Sequence, residues 1–214
     1  MNSEPPTVAL TLDALAARAV ALMADNRRFI LGITGPPGAG KSTVASALAG
    51  SLGPRSALVE MDGFHLANRE LERLGRRHRK GAPDTFDADG YAALLHRLRT
   101  SDREIYAPAF DRTLDESIGS AVAIGPETTL IITEGNYLLL MEGQWPVARQ
   151  AVDEVWYLDV PAGTRTDRLV RRHCGFGSSP DVAERWVRDV DQPNGDAIEA
   201  VRFRADLIVR LTTQ

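Results

Sequence analysis

Gly35-Pro36-Pro37-Gly38-Ala39-Gly40-Lys41-Ser42 follows the apolar run Phe29-Ile30-Leu31-Gly32-Ile33-Thr34 and opens into Thr43-Val44-Ala45-Ser46-Ala47-Leu48. This order predicts a strand, a glycine-rich turn and a helix. In such a turn successive backbone N–H groups converge on one point, and the dipole of the following helix adds partial positive charge there. The spacing G-x-x-x-x-G-K-[ST] is that of a phosphate-binding loop, in which Lys41 reaches the β- and γ-phosphates of a nucleotide and the Ser42 hydroxyl ligates Mg2+. Residues Gly35, Pro36, Pro37, Gly38, Ala39, Gly40, Lys41, Ser42 and Thr43 are the expected nucleotide site.

Further apolar runs at residues 57–61, 129–133, 155–160 and 207–211 read as buried strands, separated by helical patterns. The helices are expected over about 12–26, 41–52, 66–74, 90–99, 163–173, 180–190 and 196–203. Ser179-Pro180 supplies a start signal for the helix at 180, a capping hydroxyl before a proline in the first helical position. Strands alternating with helices predict an α/β fold, a parallel sheet flanked by helices on both faces. Residues 104–112 and 121–124 alternate weakly and predict a small antiparallel appendage. Met1 to Thr7 is polar and proline-containing and reads as a disordered tail before a single domain.

In open parallel sheets ligands lie beyond the carboxyl ends of the strands, which is where Asp62 and Glu134 fall. Phosphoryl transfer needs a phosphate cradle, a metal with oxygen ligands and a base that orients the acceptor hydroxyl. Asp62 is the candidate base, and Glu134 the candidate for the metal or the acceptor. Arg165, Arg168 and Arg172 recur on one helix face with Arg171 beside them, and Gly175-Phe176-Gly177-Ser178-Ser179 follows as a hinge. Like charges on one face suit an Arg-rich lid over phosphates, spanning about residues 163–179. Of 25 basic residues only Lys41 and Lys80 are lysine. A compact ammonium fits among phosphates at Lys41, and Lys80, in the basic run after Asp62, is a candidate acceptor contact together with His65. His78, His96 and His173 read as surface residues, and the tryptophans as packing.

With 214 residues and 43% hydrophobic content, the chain suits one well-buried α/β domain. A net charge of −4 disfavours nucleic acid as the main partner. Cys174 is the single cysteine, so neither an internal disulfide nor a cysteine-rich metal site is expected. No stretch approaches 18 apolar residues, which predicts no membrane insertion and a cytoplasmic protein.

The motif order resembles the superfamily of bacterial pantothenate kinases, uridine kinases and phosphoribulokinases. It runs from the loop through Met61-Asp62-Gly63-Phe64-His65, Arg79-Lys80-Gly81-Ala82-Pro83, residues 106–112 and Thr133-Glu134-Gly135-Asn136-Tyr137 to the Arg-rich helix. It is most similar to the small bacterial branch of nucleoside kinase-like or fructose-transport-associated kinases. The resemblance implies a P-loop kinase with ATP and Mg2+ and a small-molecule hydroxyl acceptor, a sugar or nucleoside first. It implies Asp62 as the base, Glu134 by the metal and acceptor, and Tyr106, Arg112, Asn136 and Asn194 at the substrate. Lid arginines carry over to Arg168 and Arg172 at the nucleotide and Arg171 as a catalytic charge. It also implies a homodimer as one expected assembly, although no apolar stripe demands it.

The segment around Tyr106 lacks the longer uridine kinase pattern, and the chain is shorter than pantothenate kinases, so the acceptor stays open. The second reading is a catalytically silent ATP-binding regulatory protein. A GTPase would need an Asn-Lys-x-Asp segment, and neither lysine lies in one.

Overall fold

The structure, a computed structural model, describes residues 4–23 and 28–212. The chain runs through β1 (Thr7–Leu10), α1 (Leu12–Leu22), β2 (Phe29–Thr34), α2 (Lys41–Leu52), β3 (Ser56–Glu60), α3 (Asn68–Arg73) and α4 (Ala88–Thr100). It continues through β4 (Ile105–Asp111), β5 (Glu116–Ile124), β6 (Leu130–Glu134), α5 (Trp145–Gln150) and β7 (Glu154–Leu158). α6 (Ala162–Gly175), α7 (Pro180–Trp186), α8 (Gln192–Glu199) and β8 (Leu207–Leu211) complete it. A π-helical turn, Val187–Asp191, joins α7 to α8.

Six strands form one parallel sheet in the order β1-β8-β7-β2-β6-β3. Side chains alternate across a strand, so a sheet covered on both faces needs apolar residues at consecutive positions. Ile30, Ile131, Val155, Tyr157 and Ile208 face one core with α4, α5 and α8. Leu31, Ile33, Ile132, Trp156, Leu158 and Val209 face the other with α1 and α2. The order places β2 between β6 and β7, so the loop after β2 opens beside the end of β6, and β3 lies next beyond it. β4 and β5 form a separate antiparallel hairpin, which packs on the end of β3 because Gly63 lacks a side chain. A Cβ there would lie 2.6 Å from the Pro108 carbonyl oxygen.

The structure corrects several local expectations. Thr7 begins a strand paired with Ile208, and the Pro6 carbonyl accepts from the Ile208 N–H. The tail expected over Met1 to Thr7 is therefore ordered from Glu4, and Met1 to Ser3 lie outside the described residues. So does the expected continuation of the first helix to Asn26. Strand β5 starts at Glu116, not 121. Ser179 occupies the cap position of α7, but its hydroxyl makes no capping bond.

Candidate active site

The phosphate loop takes its shape from glycine. Gly38 has φ +79°, and a Cβ there would lie 2.7 Å from the Arg165 carbonyl oxygen, so the loop seats directly on α6. Lys41 is buried and donates to the Gly35 and Pro36 carbonyls at 2.9 and 3.2 Å. Burial lowers its pKa from the ordinary lysine value, while the charges of Glu134 and Asp62 oppose that shift. The ammonium is thus held inside the loop, next to two carboxylates.

Those carboxylates arrive from adjacent strands. Glu134 ends β6, and Asp62 lies in the turn Met61–Phe64 that follows β3. Glu134 is buried, and its Oε1 accepts from the Ser42 hydroxyl at 2.9 Å. Burial, then the charge of Asp62, raise its pKa above the usual carboxylate range; Lys41 and the Ser42 bond oppose this. Glu60, the register partner of Glu134, is also raised, by burial and by Asp62. One hydroxyl and one carboxylate so close together are hard oxygen donors of the kind Mg2+ takes when phosphates and waters complete its shell. Among the described residues no group of three or more His, Cys, Asp or Glu forms a metal cage.

A cleft of about 620 Å3 runs from the loop past Asp62 to the β4–β5 hairpin. Of the residues expected at the site, Gly38, Lys41, Ser42, Asp62, His65, Lys80, Arg112, Glu134, Asn136, Arg172 and Asn194 line it. Asp62 Oδ2 lies 3.2 Å from Arg112 Nη2. His65 lies between Phe86 and Phe110, its ring tilted to both with centroids 4.0 and 4.8 Å away, and its Nδ1 lies 2.8 Å from the Asp62 carbonyl oxygen. Burial lowers its pKa; the charge of Asp62 and that carbonyl oppose the shift.

Outside the phosphate loop, two predicted site residues lie elsewhere. Tyr106 is exposed, and its hydroxyl donates to Glu104. The register shifts between Ala107 and Ala109, which pair with Val122 and Ile118, so the extra residues lie on β5. Phe110 and Arg112, beyond that shift, line the cleft, and Tyr106 does not. Arg171 is the second. Its Nε donates to the Asp167 carbonyl of its own helix, and it is absent from the cleft wall. Arg168 and Arg172, one turn apart, line a smaller recess continuous with the loop, and Arg168 Nη1 donates to the Gly38 carbonyl at 3.3 Å. Arg165 is buried beneath the loop, donating to the Val160 carbonyl.

The sequence reading missed part of the far wall. His173, expected at the surface, has Nε2 2.9 Å from Asp191 Oδ2, and both line the cleft with Phe176 and Trp186. Nothing in the local sequence signals this, because α6 and the π-turn meet only through packing.

Comparison with known proteins gives the family. Residues 30–167 match the model of the "Phosphoribulokinase / Uridine kinase family". The "Putative uridine kinase C227.14" of Schizosaccharomyces pombe is 33% identical over 92% of this chain and 89% of its own. A pantothenate kinase of Leifsonia xyli subsp. xyli is 31% identical over 85% of this chain and 65% of its own. Among solved structures, a "putative fructose transport system kinase" from Silicibacter sp. TM1040 superposes with TM-score 0.84 at 39% identity, covering 93% of this chain and 98% of that one. The chain belongs to the phosphoribulokinase/uridine kinase family and is an ATP-dependent phosphotransferase with an alcohol group as acceptor.

Proposed function

We propose that this kinase transfers the γ-phosphoryl group of ATP to a hydroxyl of a sugar or nucleoside seated between the β4–β5 hairpin and the π-turn. The observation that carries the reading is that Asp62 opens into the same cleft as Lys41 and Ser42, from the end of β3, with Glu134 at the end of β6 between them. When bound, Mg-ATP supplies the phosphoryl group, with the metal offsetting its negative charge. Ser42 and Glu134 would hold that metal. Lys41, enclosed by the loop, and Arg172, on the helix above it, bring fixed positive charge to the phosphates without solvent reorganisation. Asp62 orients the acceptor hydroxyl and takes its proton, and Arg112, 3.2 Å away, holds that carboxylate in place. α6 acts as the lid in this scheme, with Arg168 and Arg172 as its phosphate contacts.

The relatives' names support a small hydroxylated acceptor and divide over which one: fructose transport, uridine and pantothenate appear among them. No described helix is long and apolar enough to cross a membrane, and we place the protein in the cytoplasm, where ATP is supplied. The test is acceptor-dependent ADP release with Mg-ATP and D-fructose, other sugars, uridine, cytidine, pantothenate or D-glycerate, beside Asp62→Asn. Turnover with one acceptor should fall by about two decades or more in the variant, with ATP affinity retained. ATP binding with no acceptor turned over would favour the regulatory reading instead.

A further inference from the structure

Lys80 does not have the environment of a substrate contact. Its side chain is only 7% exposed. An ammonium has three N–H donors, and three acceptors surround this one: Asn68 Oδ1 at 2.7 Å, the Asp115 carbonyl at 2.5 Å and Asp115 Oδ2 at 3.2 Å. The ring of Phe110 covers it, with the centroid 5.0 Å from Nζ. No donor is left for a ligand.

The partners join two segments far apart in sequence. Asp115 sits in the turn between β4 and β5 with φ +53°, a left-handed conformation unusual for a residue other than glycine. That turn aims its carbonyl at Lys80 and at Asn68 Nδ2, 2.9 Å away. Its carboxylate also accepts from Arg77 at 2.8 Å. The hairpin carries Phe110 and Arg112, and the facing loop carries Arg77 and Gly81, all of which line the cleft.

We infer that Lys80 and Asp115 are positioning residues for the acceptor: their node fixes the hairpin against the 75–81 loop and sets the width of the acceptor half of the cleft. This rests on the kinase reading above for the identity of that half. The node also accounts for a lysine in a chain that otherwise uses arginine for basic charge. A planar guanidinium cannot place three donors on three acceptors arranged around a point, so Lys80→Arg breaks the node as Lys80→Met does.

The experiment compares wild type, Lys80→Met, Lys80→Arg and Asp115→Asn. Asp115→Asn keeps the backbone of the turn, because asparagine tolerates the left-handed conformation. Steady-state kinetics are run with an acceptor that the wild type phosphorylates, and amide hydrogen exchange is followed over residues 76–82 and 112–117. Both Lys80 variants should raise the acceptor KM about tenfold or more, leave the ATP KM within about twofold, and speed exchange in those two segments only. Asp115→Asn should do the same to a smaller degree.

A raised acceptor KM without faster exchange would make Lys80 a direct contact and overturn the inference, as would faster exchange with an unchanged acceptor KM. Full rescue by Lys80→Arg would overturn it too. Where wild type phosphorylates no acceptor, the kinase reading has failed. The exchange comparison then still decides on the node: unaltered protection in the variants rejects it, and local deprotection sustains it.

Discussion

Arg112 and Asp62 come 50 residues apart in sequence, yet Nη2 and Oδ2 stand 3.2 Å apart at the mouth of the cleft. Asp62 is partly exposed and Arg112 about half exposed, so the pair contributes little to stability. Its consequence is orientation. Arg112→Ala should lower kcat/KM for the acceptor by about tenfold or more while the urea midpoint stays near wild type. Parallel steady-state kinetics and urea titrations check this; a variant as active as wild type would remove Arg112 from the site.

Arg172 and Arg171 are neighbours in sequence with different surroundings. Only Arg172 lines the cleft, while Arg171 bonds its own helix. Arg172→Ala should lower kcat by about a hundredfold, in the range for removing one preorganised charge from a transferring phosphoryl group. Arg171→Ala should stay within about twofold. Turnover of both variants at saturating ATP distinguishes the two, and a larger loss at Arg171 would reverse the assignment.

His65 links the site to pH. Its ordinary pKa of 6.5 is lowered by burial in the folded chain. The unfolded chain therefore binds the proton more readily, and stability rises with pH in the window between the folded value and 6.5. The contribution is complete above that window and is lost as pH falls through it. Urea midpoints at about pH 7.5 and about pH 5.5 should differ more in wild type than in His65→Gln. An equal drop in both proteins would show that His65 is not the titrating group.

Behind the carboxylates, the Tyr91 hydroxyl lies 2.5 Å from Thr133 Oγ1, which donates to the Val59 carbonyl at 2.7 Å; all of these groups are buried. This chain ties α4 to the two strands whose ends carry Asp62 and Glu134. Thr133→Val leaves the Tyr91 hydroxyl buried without a partner and should cost about 1–3 kcal/mol. Tyr91→Phe keeps the Thr133–Val59 bond and should cost about 0.5–1.5 kcal/mol. Equilibrium unfolding in urea ranks the pair; the reverse order would mean that the hydroxyl finds another partner.

What could be read from the sequence follows from how far apart the interacting residues lie. The phosphate loop, β2 and α2 are contiguous, and their residue types carry the geometry themselves. The core strands were legible because burial on both faces leaves runs such as Leu130 to Ile132 without polar interruption. β1 was not legible: four residues after two prolines carry no period, and only pairing with β8 makes them a strand. The same limit applied in the site. Helical spacing groups Arg165, Arg168, Arg171 and Arg172, but packing of α6 on the loop decides which of them face the cleft. The family resemblance groups Tyr106 with Arg112, but only Arg112 lines the cleft, and no local residue type tells them apart. Lys80 was noticed for its rarity, while its partner lies 35 residues further on and gives no local sign.

The enclosure of both lysine side chains also bears on covalent chemistry. Lys41 lies within the phosphate loop and Lys80 beneath the hairpin turn, so the cationic face shown to solvent is built from guanidinium groups. An acetyltransferase or a ubiquitin ligase that seeks a lysine amine meets neither one on the outer surface, and a small acyl-transfer reagent reaches them only by way of the cleft that both of them line.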